Sequence, residues 1–210
     1  MATVYRANDP LLQPFQLKHL TLKNRLMSTS HEPNYGESGM PTQRYRLYHV
    51  EKAKGGIAMT MTAGSAVVSP DSPEAFGNLH AYKDEIIPHL KALADECHEH
   101  DCAVMIQITH LGRRTNWNKG DWLPVIAPSM VREPAHRAFP KVMEDWDIAR
   151  VIDDYASAAQ RMKEAGKLGF GQAFATLDEK EVSASGDIKV TRIRELTQLA
   201  ADIASRKENA

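Results

Sequence analysis

Between residues 24 and 166 one unit occurs three times: an apolar run ending in small or polar residues, then a loop, then an amphipathic stretch of helical period. The apolar runs are Asn24 to Ser30 (NRLMSTS), Ile57 to Ala66 (IAMTMTAGSA) and Ala103 to Leu111 (AVMIQITHL). Strands apolar on both faces, each followed by a helix, are the pattern of a parallel sheet with helical crossovers. The expected fold class is α/β.

The intervening segments supply the helices. Thr42 can cap a helix from Gln43 whose apolar side holds Tyr45, Leu47, Tyr48, Val50 and Ala53, with Gly55-Gly56 as the stop. DEIIPHLKALADECHEHD gives a second, with Ile87, Leu90, Ala94 and Cys97 near one face and Pro88 tolerated in the first turns. Asp147 to Gly166 gives a third through Val151, Tyr155, Ala158 and Met162. Ahead of the first unit, residues 11 to 23 alternate as a hairpin would and are expected to form a lid or plug.

The longest loops follow strands, which places chemistry at the C-terminal face of the sheet. No GxGxxG follows the first strand and no Walker loop is present, so a barrel is favoured over a dinucleotide-binding sheet. A full barrel takes about 250 residues for eight units, and this sequence spends residues 24 to 166 on three. KLGFGQAFATL is the one further strand candidate; the polar tail after it ends in a helix from about Thr191 to Lys207. The expectation is therefore an incomplete (β/α) TIM-type barrel in residues 1–166, followed by a divergent helical tail in 167–210.

Charge removes some partners from consideration. With 26 Lys+Arg against 27 Asp+Glu, net −1, the chain has no electrostatic footprint for nucleic acid or an anionic membrane. No apolar run approaches the roughly 18 residues of a membrane span, and the first residues lack signal-peptide order, so a cytoplasmic protein is expected. Cys97 and Cys102, in CHEHDC, fit neither a disulfide framework nor a paired CxxC knuckle and read as reduced thiols. Cys97, His98 and His100 point in different directions on a helix, so no metal site is expected.

Specific wording adds to the pattern. LLQPFQLKHLTLKNRLMSTSHEP, RYRLYHVEKAKGGIAMTMTAGS, AVMIQITHLGRR and WLPVIAPS run collinearly from about residue 10 to 166 and together resemble the old yellow enzyme family of NADH:flavin oxidoreductases. MSTSHEP, PDSPEAF and ITHLGRR are most similar to the branch holding dienoyl-CoA reductase, trimethylamine dehydrogenase and N-methylproline demethylase. The resemblance implies an FMN cofactor with NAD(P)H as a candidate electron donor, and a small-molecule substrate. It assigns the flavin to Thr29, Ser30 and His31 after the first strand, Ala63 after the second and Gln107 on the third. Small residues suit close approach of a flat ring, and an amide can meet the mixed donor and acceptor edge of its pyrimidine. His110 and Arg113 fall in the following turn, on the substrate side, where they would hold a loop or approach the mouth. No catalytic residue is assigned.

Each assignment has a plainer counterpart. His31 could be a solvent-facing loop residue, Gln107 could bond backbone inside the barrel, and Arg113-Arg114 could be a solvated surface pair. Trp117, Trp122 and Trp146 could wall a methylated ammonium substrate or pack a loop against the barrel. After Gly166 the resemblance stops, and the segments that carry the proton donor and flavin phosphate site in the family have no counterpart. Two functions follow: an FMN oxidoreductase transferring hydride, by NAD(P)H-linked reduction or oxidative N-demethylation; or a truncated or rearranged member, inactive alone. A homodimer or a partner half would complete the barrel in the second case.

Overall fold

The structure is a computed structural model that describes residues 9–17, 20–72, 77–114, 124–134 and 139–165. The fourth strand candidate and the C-terminal helix of the tail lie outside these residues, as do Trp117 and Trp122.

The chain enters through a short turn of 3-10 helix at Pro10–Leu12 and forms an antiparallel hairpin, β1 (Phe15–Leu17) and β2 (Leu20–Leu22), with Phe15 opposite Leu22. Strand β3 (Met27–Ser28) follows, then a small ribbon of β4 (Gly36–Glu37) and β5 (Met40–Pro41). Helix α1 (Gln43–Lys54) leads to β6 (Met59–Val67), α2 (Ile86–His98) to β7 (Ala103–Thr109). The parallel pair β8 (Ile126–Ala127) and β9 (Lys141–Val142) precedes α3 (Asp145–Glu164).

The central sheet is parallel in the order β3-β6-β7, with Met27, Met59 and Ala103 in one row and Ser28, Thr60 and Val104 in the next. The expected crossover architecture is therefore present, and β3 is its shortest strand. The run expected from Asn24 pairs only from Met27, because the Asn24 side chain captures the backbone first: its Oδ1 accepts from the Leu26 N–H at 3.0 Å and its Nδ2 donates to the Gly56 carbonyl at 2.8 Å. A side chain that bonds nearby backbone competes with ladder formation.

Helix α1 starts where expected, with the Thr42 hydroxyl accepting from the Tyr45 N–H at 3.3 Å and donating to the Tyr35 carbonyl at 2.5 Å. Gly56, at φ +97, makes the left-handed step that ends it. Its buried face is Tyr45, His49, Val50 and Ala53, while Leu47 lies exposed on the opposite side. The hydrophobic count favoured Leu47; helical spacing from Tyr45 and Ala53 selects His49 instead. In α2 the fully buried residue of the first turn is Ile86 rather than Ile87, with Leu90, Leu93, Ala94 and Cys97 behind it. Helix α3 begins two residues before the expected Asp147, through a capping box of Glu144 with Asp147, and buries Ala158 and Met162.

The two faces of β7 have different neighbours. Val104, Ile106 and Ile108 are buried and join the α-helices in the main core. Ala103 and Met105 point the other way and pack with Leu20, Leu22, Ala58 and Met59. The hairpin is thus a plug over the N-terminal end of the inner face, and β7 continues past it to Gln107 and Thr109.

Candidate flavin site

Gln107 stands two residues beyond Met105 on the inner face of β7, about 7 Å further along the strand. It is half-buried, and its amide has no hydrogen-bond partner among the described residues. The bland expectation of a backbone bond is not what the described residues show. Beside it the ladder is irregular. Thr62 pairs with Ile106 and Ala66 with Ile108, so β6 has Ala63, Gly64 and Ser65 where β7 has Gln107 alone. Such an insertion bends its strand and leaves backbone groups outside the ladder. Ala63 therefore lies in the irregular segment beside Gln107.

Thr29, Ser30 and His31 follow the end of β3, on the other side of β6. Thr29 and His31 are exposed and Ser30 half-buried, and the His31 ring centre is 6.4 Å from that of Tyr48. Lys52 of α1 fixes the base of this segment, donating to Ser28 Oγ at 2.8 Å with its ammonium 3.9 Å from the centre of the Tyr48 ring. Thr29 to His31 leave β3 just past the Ser28–Thr60 row, while Ala63 and Gln107 lie within β6 and β7.

His110 and Arg113 occupy the turn after β7. The His110 side chain is turned down into a buried polar cluster: Nε2 donates to Asp71 Oδ1 at 3.0 Å, and only 7% of the side chain is exposed. There the ring binds the loop that follows β6. Arg113 is half-exposed and donates to the Val131 carbonyl at 3.3 Å. Trp146 is exposed at the start of α3, its indole N–H on Glu144 and Lys141 over its ring, and packs no loop against the sheet.

The cluster around Asp71 was not foreseen. Arg150 of α3 pairs with both Asp71 oxygens and donates to Ser69 Oγ at 2.8 Å, and Ser69 donates to Asp71 Oδ1 at 2.6 Å. Burial alone would raise the Asp71 carboxyl; hydrogen bonds from His110, Ser69 and Arg150 together outweigh it and hold the group well below the usual carboxylate range. No sequence spacing signals it, since Asp71 and Arg150 are 79 positions apart. The two cysteines are buried free thiols, Cys97 pushed up to about 12 by burial and Cys102 to about 11. Among the described residues no group of three or more His, Cys, Asp or Glu could hold a metal ion, and no helix is long and apolar enough to cross a membrane.

A parallel β/α sheet, plugged at its N-terminal end and carrying beside an irregular strand an amide with no partner among the described residues, has the architecture of part of a (β/α) barrel. Comparison with known proteins gives the family: the pattern of the NADH:flavin oxidoreductase / NADH oxidase family, whose cofactor is FMN, matches residues 10–169, and the chain belongs to that family. It is 65% identical over 162 residues to the probable N-methylproline demethylase of Rhizobium meliloti (strain 1021), covering 77% of this chain and 24% of that protein. It is 52% identical over 160 residues to the multifunctional alkene reductase/demethylase OYE of Caballeronia cordobensis, covering 76% and 24%. Its fold matches morphinone reductase, solved in complex with tetrahydroNAD, with a TM-score of 0.69 at 21% identity over 76% of this chain and 47% of that one. The chain thus spans about a quarter of the length of these two curated relatives.

Proposed function

We propose that residues 1–166 form the N-terminal, cofactor-facing half of an FMN-dependent oxidoreductase that oxidatively demethylates small N-methylated amino acids. The observation that carries this reading is the Gln107 amide, half-buried at the mouth of the sheet with no partner among the described residues. An amide there offers a donor and an acceptor side by side to a ligand edge that carries both.

These residues fit the group. Gln107 would present its N–H and C=O to the pyrimidine edge, and the Ala63–Ser65 segment would allow close backbone approach beside it. Thr29, Ser30 and His31 would line the adjoining side of the ring, with Arg113 at the substrate side. When bound, FMN supplies the hydride acceptor and donor, with NAD(P)H as a reductant for it. The protein's own contribution is to orient the ring and exclude water from its edge.

Similarity to the N-methylproline demethylase supports the substrate class, and the tetrahydroNAD complex of morphinone reductase supports the nicotinamide donor. Among the described residues β7 is an outer strand of the central sheet, and a partner half or second copy would supply a continuation. Reduced buried thiols fit a cytoplasmic setting.

The test is the visible spectrum of the chain after mixing with FMN and removing free ligand. A retained, perturbed flavin band at one per chain, bleached by N-methylproline without oxygen, is expected. A colourless protein overturns the flavin reading; a stable band unmoved by N-methyl amino acids but bleached by NAD(P)H and restored by an enone overturns the demethylase assignment.

A further inference from the structure

Among the described residues, two ladder pairs hold β7 to β6 beyond the irregular segment, Ala66 with Ile108 and Val67 with Thr109. A strand secured by so short a stretch at its end opens readily unless the chain past it is held. Here it is held. The Val68 N–H donates to the Thr109 carbonyl at 2.9 Å, and the next two N–H groups along the chain from Thr109 each meet a side-chain hydroxyl. His110 N–H donates to the Tyr155 hydroxyl at 2.8 Å and Leu111 N–H to Ser72 Oγ at 2.7 Å.

The two hydroxyls come from different elements, and each is itself fixed. Ser72 closes a turn by donating its own N–H to the Ser69 carbonyl at 3.1 Å, and it is 1% exposed. Tyr155 stands on α3, packed against the main core, and its phenol also bonds the Thr109 side chain. Burial raises that phenol above its ordinary value, so it remains a neutral hydroxyl. Each contact ends on a single oxygen atom. Ser72→Ala and Tyr155→Phe would therefore each remove one hydrogen bond and leave the shape of the side chain nearly unchanged.

Gln107 lies between these terminal pairs and the regular part of the ladder. It faces Ala63–Ser65 without a one-to-one partner, with the pair Thr62 and Ile106 before it and the pair Ala66 and Ile108 after it. Its place in the sheet thus depends on both flanks. Ile106, in the main core and 5% exposed, secures the first; the second is secured from beyond Thr109.

We propose that Ser72 and Tyr155 are positioning residues for the Gln107 amide. By clamping the chain just past Thr109 they keep the short outer end of β7 in register, so that Gln107 holds one place beside the irregular segment of β6. They act through the strand rather than on a ligand. The inference rests on the flavin reading for its effect on cofactor affinity, whereas the clamp itself is read without a cofactor.

The experiment is amide NMR of the whole chain together with FMN titration. Hydrogen exchange is followed at His110 and Leu111, and the side-chain amide signals of Gln107 are assigned by their loss in Gln107→Ala. Ser72→Ala is expected to speed exchange at Leu111, and Tyr155→Phe at His110, each about tenfold. The double variant is expected to shift or broaden the Gln107 signals and to bind FMN about tenfold more weakly. Ser72→Thr, which keeps a hydroxyl, should bind as the unaltered chain does. Val50→Ala truncates a core residue of α1 that is 5% exposed; it should lower stability and leave FMN affinity within about twofold. Unmoved Gln107 signals or an unchanged FMN affinity in the double variant overturns the proposal. So does a Val50→Ala chain that loses FMN affinity to the same extent, since the two hydroxyls would then act only through stability. If the unaltered chain retains no FMN the flavin reading fails, and the Gln107 signals of the double variant still decide the positioning role.

Discussion

Nδ1 of His49 and the Thr60 hydroxyl lie 2.8 Å apart in the seam between α1 and β6, both side chains shut off from solvent. The imidazole is flanked by the rings of Tyr45 and Tyr48, at 5.2 and 5.3 Å between centres. Its Nε2 and the hydroxyl of Thr62 find no hydrogen-bond partner among the described residues. Burial, assisted by the Lys52 ammonium, brings the ring from an ordinary 6.5 down to about 3, so it is neutral in the folded protein.

This gives stability a definite pH dependence. Below 6.5 the unfolded chain protonates His49 while the folded chain does not until about 3, so stability present above that window falls as pH drops through it. The expected slope is up to about 1.4 kcal/mol per pH unit. The Asp71 carboxyl has the opposite shift relative to its own charge, and its contribution is lost only below about pH 4. Urea midpoints between pH 4 and 7 should show the first slope, and His49→Leu should flatten it; an unchanged slope in that variant would place its origin elsewhere.

Replacing Gln107 with Ala should leave folding stability within about 0.5 kcal/mol, because the amide holds no partner among the described residues. The same change should weaken FMN binding about tenfold through loss of a donor and an acceptor. Equilibrium titration of the flavin and thermal unfolding of the same samples separate the two effects.

Gly112 adopts φ +55, and a Cβ built there meets only the Ile126 carbonyl at an ordinary 3.5 Å. Gly112→Ala should therefore cost about 1 kcal/mol, from backbone conformation rather than collision. Denaturant unfolding measures it, and a cost several times larger would mean the turn is rebuilt.

Met162 is 1% exposed and anchors α3 in the main core. Met162→Ala should cost about 2–5 kcal/mol, whereas Thr42→Ala, which removes only the α1 cap, should cost about 1 kcal/mol. Calorimetric unfolding of the two variants should rank them in that order.

Several elements were legible because their cause is local. Thr42, the apolar period of α2 and α3, and the alternation in residues 11 to 23 act within a few positions of themselves, and each element formed where its pattern lay. The errors are equally local in origin. Leu47 counted as apolar though it lies off the face set by Tyr45 and Ala53, and Asn24 read as strand until its side chain took the Leu26 N–H.

What the sequence by itself determined is the order of strands and helices, the parallel sense of the sheet and the placement of Gln107 on its third strand, since periodicity and wording are properties of contiguous residues. Only the tertiary structure decided that Ala63–Ser65 fall opposite Gln107, that His110 turns toward Asp71, and that Arg150 arrives from 79 positions away to neutralise it. Those pairings depend on strand register and on where α3 docks, and a polar side chain selects its partner by the geometry that the apolar core has already fixed.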